Sequence, residues 1–61
     1  MMNTWVDADG TWHSIAHDEK DAGQAIRREL IDRDLIGRYT PVTIELVSAG
    51  INGLNEYREV R

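Results

Sequence analysis

The chain has no cysteine. That excludes disulfide staples, thiolate metal sites and cysteine nucleophiles together. No apolar run approaches the roughly 18 residues a membrane-spanning helix needs. No charged segment leads into a short apolar run, so a secretory leader is not expected either. Both absences, with the missing cysteine, suit a cytoplasmic protein away from membranes. Serine is scarce: Ser14 and Ser48 are the only two, and neither lies in a Gly-x-Ser-x-Gly elbow. Glycine-rich phosphate loops are missing as well.

A basic surplus is also lacking. The net charge is −4. Residues 1–21 hold Asp7, Asp9, Asp18, Glu19 and Asp21 against Lys20, while six acids and six arginines balance over residues 22–61. A phosphate-backbone binder shows a concentrated basic face, so nucleic acid is not the expected partner. The acidic stretch would instead steer a basic partner surface or repel an acidic one.

What is present bounds the fold. Sixty-one residues make one domain, 1–61. Apolar content of 41% with 30% charged residues belongs to a folded globule. A chain this short buries only about 60% of its unfolded surface. With no disulfide to help, self-association is the remaining common source of stability.

The expected architecture is α+β, a ββαββ domain with one helix packed on a face of an antiparallel sheet. The N-terminal hairpin spans 3–16. Asn3-Thr4-Trp5-Val6 and Thr11-Trp12-His13-Ser14-Ile15 are rich in β-branched and aromatic residues. Asp7-Ala8-Asp9-Gly10 between them suits a type I turn closed by a left-handed glycine. The helix is expected over 18–36, with Asp18 as N-cap, Glu19 and Asp21 in the first turn, and Gly37 as the stop. Gln24/Arg28, Arg28/Asp32 and Glu29/Arg33 stand four apart on its outer face. The C-terminal hairpin spans 42–60, turning at Asn52-Gly53. Val47, Ile51, Leu54 and Tyr57 also fit a helical period, but Gly50 and Gly53 would both interrupt that helix.

Asp7-Ala8-Asp9-Gly10-Thr11 resembles the D-x-D-G-T nucleophile loop of haloacid-dehalogenase-type phosphatases. That loop follows a buried parallel strand in a large doubly wound sheet, and this chain is too short for one. A calcium loop fails on register, because glycine falls at position 4 when counted from Asp7. A turn is the expected role. His13 and His17 stand four apart, but in a strand and at a helix start, so the spacing carries no metal geometry. A pocket of about 300 Å³ or more is not expected in so small a chain. No catalytic residue, metal or cofactor is therefore expected, and the protein is expected not to be an enzyme.

The positive signal is surplus apolar surface. Ala22, Ala25, Ile26, Leu30 and Ile36 share one side of the helix, whereas Ile31 and Leu35 project nearly opposite. A bulged three-residue loop would set Trp5 and Trp12 on opposite sheet faces. Ile44, Leu46 and Tyr57 line one face of the second hairpin; Val47, Ile51, Leu54 and Val60 line the other. One helix covers only one of these surfaces, which suggests an interface. Trp5, Trp12, Ile31 and Leu35 are the candidate partner-binding residues. The expected function is a small protein-interaction module, an adaptor or regulator that forms a homodimer and also engages other proteins. The alternative is a nucleic-acid-linked regulator or an acidic nucleic-acid mimic. In size and composition alone, the chain resembles accessory proteins of phages and mobile elements.

Overall fold

The computed structural model describes residues 3–60. In chain order it has β1 (Thr4–Val6), β2 (Trp12–Ala16), α1 (Glu19–Asp32), β3 (Thr43–Ala49) and β4 (Asn55–Val60). The strands form one antiparallel sheet in the order β1-β2-β4-β3, with α1 packed on one face. This is the expected α+β class. β2 and β3 both run antiparallel to β4 and so parallel to each other, with β4 inserted between them. The two hairpins therefore join through β2 and β4, and β3 is left at an edge.

The first hairpin follows from its turn. Gly10 donates its amide to the Asp7 carbonyl at 3.0 Å, and Asp7 donates to Thr11 at 3.0 Å. Gly10 takes φ +82°, a conformation that costs glycine little and other residues about 1 kcal/mol or more. The resulting register pairs Val6 with Trp12 and Trp5 with His13. Neighbouring residues alternate across a sheet, so the two tryptophans lie on opposite faces, as expected; Trp12 is the one in the core beneath the helix and Trp5 the one on the open side.

Asp18 caps α1 by accepting the Asp21 amide at 2.8 Å. Ala22, Ile26 and Leu30 are the buried stripe. They meet Trp12, Ala16, Ile44 and Tyr57, with Ile36 and Val42 at the margin. The helix end departs from expectation. It stops at Asp32, four residues short of Ile36, because Asp34 enters the left-handed region at φ +60°. There the Asp34 amide bonds to the Ile31 carbonyl and the Leu35 amide to Leu30, both at 2.9 Å. That pair of bonds closes a Schellman cap, so Gly37 has no part in stopping the helix. Leu35 and Ile36 consequently lie outside it. Asp34→Gly should raise stability by about 0.5–1 kcal/mol, since glycine fits this conformation without strain. Chemical denaturation reads the gain, and a loss would refute the cap's role.

The second hairpin turns as expected at Asn52-Gly53, with φ +63° and +76° and the Leu54 amide bonded to the Ile51 carbonyl at 3.3 Å. These are the dihedrals of a type I′ turn. A β-bulge interrupts β3 between Leu46 and Ser48. Of the three expected i, i+4 pairs only Glu29–Arg33 forms, at 3.4 Å; among the described residues Arg28 makes no ion pair with Asp32.

Candidate functional site

The DADGT stretch is a self-contained turn. One Asp7 carboxylate oxygen accepts the amides of Asp9 at 2.8 Å and Thr11 at 3.1 Å. The other accepts from His13 Nε2 at 2.7 Å. A carboxylate is acceptor-only, so this contact assigns the proton to Nε2. The His13 ring stacks on Trp5, with centroids 5.3 Å apart and planes 7° apart. Its Nδ1 is closed off from solvent and lies 3.4 Å from a Glu56 carboxylate oxygen. Asp7 is thereby occupied on both oxygens by its own hairpin.

The His13 hydrogen bond, with the turn amides of Thr11 and Asp9, holds the Asp7 carboxyl below its ordinary value. A carboxyl lowered on folding adds stability above its unfolded pKa of about 3.9 and loses it as pH falls through the lower folded value. Asp7→Ala should therefore destabilise the protein at neutral pH and match the wild type in strong acid. Denaturation midpoints at several pH values test this; a gap that stays constant into acid would exclude the linkage.

The four residues singled out for partner binding are not brought together. Trp12 is 5% exposed and belongs to the core. The Arg33 guanidinium lies 5.0 Å from its ring centroid, and its amide donates to the buried Glu59 carboxylate at 3.1 Å. Trp5 is the tryptophan left accessible, at 38%, on the face opposite the helix. Ile31 lies on the outer side of α1 with Gln24, Arg27 and Arg28. Leu35 is 58% exposed beyond the helix end. Trp12 and Leu35 do share one feature, an open groove of about 640 Å³ with Leu30, Ile36 and Val42. Sequence length alone did not anticipate a groove of this size. Its carboxylate, Glu59, is turned to the Trp12 amide.

The acids of residues 7–21 are also divided. Asp7 and Asp9 flank the hairpin tip, whose Gly10 shares that groove with Leu35 and Ile36 near the end of α1. Asp18, Glu19 and Asp21 mark the helix start, about 21 Å away along 14 residues. Neighbours in sequence thus occupy opposite ends of the molecule.

The surplus apolar surface expected on the second hairpin is present, although none of its residues stood among the four candidates. β3 lies at the sheet edge, and of its seven residues only Ile44 is buried. Leu46 and Val47 are exposed, as is Leu54 in the following turn. Still more open are Tyr39 before the strand, at 90%, and Ile51 after it, at 83%. The alternation of β3 announces one covered face, but Ile44 is the residue of this strand that joins the helix stripe in the core. The usable signal is the density of apolar residues from Ile44 to Leu54, which exceeds what one helix covers.

The class defined by this arrangement is a small α+β domain, one helix on a four-stranded antiparallel sheet. No family model, curated protein or solved structure matches the chain.

Proposed function

We infer that this domain is a non-enzymatic protein-interaction module, an adaptor or regulator that self-associates and meets partners through apolar surface. One observation carries this reading: among the described residues, eleven large apolar side chains are more than a third exposed, against seven hydrophobic residues in the core, two of them alanines. Scattered apolar residues are ordinary on any surface. Here they outnumber the core, and four of them, Leu46, Val47, Ile51 and Leu54, lie together on the β3 edge and its turn, which favours an interface. Molar mass from size-exclusion chromatography with light scattering, over about a tenfold concentration range, should rise above the monomer value. A monomer throughout would remove self-association from this reading.

A second reading has one observation in its favour. Lys20, Arg27 and Arg28 lie on α1, and among the described residues none of them forms an ion pair, although Arg27 donates to the Thr40 carbonyl. Such cations suit the phosphate backbone of a nucleic acid. Salt separates the two readings. Phosphate binding weakens with salt, with a log–log slope of about −0.9 per contact on duplex DNA. Association of two copies that each carry −4 should strengthen as their repulsion is screened.

A further inference from the structure

We propose that β3 is the self-association surface, pairing antiparallel with β3 of a second copy to give one continuous eight-stranded sheet. The inference rests on the self-association reading above and names where it happens. An edge strand presents unpaired amides and carbonyls, a ready template for another strand. The sheet has two edges, and β1 offers only three residues against seven in β3.

The charges on the strand itself do not oppose a second copy as the occupant. Exposed edges are usually protected by charged side chains. β3 carries one, Glu45, and it is already paired with Arg58 across the sheet. Nothing on the strand then repels its own copy, provided the register keeps the two Glu45 residues apart.

The bulge selects such a register. Before it, Ile44 and Leu46 lie on the helix face with Glu59 and Tyr57, while Thr43 and Glu45 lie on the open face. After it the alternation is displaced by one: Ser48, opposite Glu56, is on the open face and Ala49, opposite Asn55, on the helix face. Strands paired antiparallel must match face with face. For β3 against itself this holds when Ile44 meets Ala49 of the second copy, Glu45 meets its Ser48, and Leu46 meets its Val47. The two-fold axis then passes through the bulge, and the central pairs are apolar. A register that sets Glu45 against Glu45 would force helix-face residues onto open-face ones beyond the bulge. Continuing outward, Val42 approaches Ile51 of the second copy, covering the more exposed of the strand's two apolar flanking residues on its C-terminal side.

The area sets the strength. Seven residues at about 3.3 Å give an edge about 23 Å long. At roughly one sheet thickness, about 10 Å, that is about 230 Å² per copy, far below the roughly 800 Å² of a standard interface. The dimer is therefore weak and concentration-dependent.

The test is sedimentation equilibrium of the full chain and its variants across about two decades of concentration. Val47→Lys places like charges about the axis and should weaken association by about tenfold or more. Ser48→Lys sets a cation against Glu45 of the second copy twice per dimer and should tighten it by about twofold or more. Backbone amide shifts that vary with wild-type concentration should fall on residues 42–51. That mapping stands even if a variant folds poorly. A wild-type dimer that ignores both lysines, yet dissociates on Trp5→Ala or Ile31→Asp/Leu35→Asp, overturns the edge and leaves the interaction reading intact. A wild-type monomer at every concentration overturns both.

Discussion

Truncating Ile26 to alanine should destabilise the protein by about 2–5 kcal/mol, the usual range for a buried isoleucine. Ile26 is completely buried, and with Leu30 and the smaller Ser14 it is among the largest side chains so enclosed. The core has no spare bulk to close the space, because Ala16 and Ala22 are two of its seven members. At about 0.05–0.15 kcal/mol per residue, a chain of 61 residues has about 3–9 kcal/mol of stability in total. The substitution therefore removes a large share and could leave the domain mostly unfolded. At about 4–8 °C per kcal/mol for a domain of this size, Tm should fall by about 10 °C or more. Ile31→Ala, on the outer side of the same helix, should stay within about 0.5 kcal/mol. Thermal denaturation of both variants decides the matter. Comparable losses at the two positions would mean that the outer face is covered, as by a second copy, or that the helix is rotated from the arrangement described.

What could be read from sequence was mainly what is fixed locally. Asp7 and Gly10 specify their turn through contacts within a few residues, and the turn determines the register that separates Trp5 from Trp12. Asp18 likewise announces the helix start, because its partner amide is only three residues away. The helix end was misplaced for an equally physical reason. A left-handed aspartate at Asp34 is far less common than a glycine there, and the choice between one more helical turn and the Schellman cap depends on small energies. Strand order was out of reach: no local feature of residues 55–60 says that β4 enters between β2 and β3. That single long-range fact makes β3 an edge and leaves Leu46, Val47 and Ile51 outside. The surface singled out first, Ile31 with Leu35, is not continuous for a separate reason, the early helix end at Asp32. The wheel that placed them together assumed a helix reaching residue 36.

Gly50→Ala should be the most damaging of the glycine substitutions, and for a reason unlike that at Gly10. Gly50 has φ −100° and ψ −173°, an extended conformation open to any residue. Its constraint is space: a Cβ here would collide with the Leu54 carbonyl oxygen. That oxygen is backbone, so no rotamer change relieves the clash, and the turn from Ile51 to Leu54 must shift. Overpacking of this sort costs about 1–3 kcal/mol. At Gly10 nothing lies within 4 Å of the added carbon, and only its positive φ opposes alanine, by about 1–2 kcal/mol. The two variants should also differ in what they disturb. Gly10→Ala should lower the unfolding midpoint while leaving the amides of Leu54 and Asn55 near their wild-type positions. Gly50→Ala should displace those amides, because the Gly50 amide is itself bonded to the Asn55 side chain at 3.3 Å. If β3 is where a second copy pairs, Gly50→Ala should also weaken association, since the turn sets where Ile51 stands beside the edge. Amide spectra that are unchanged in both variants would show that the tip of the second hairpin does not depend on the close approach at Gly50.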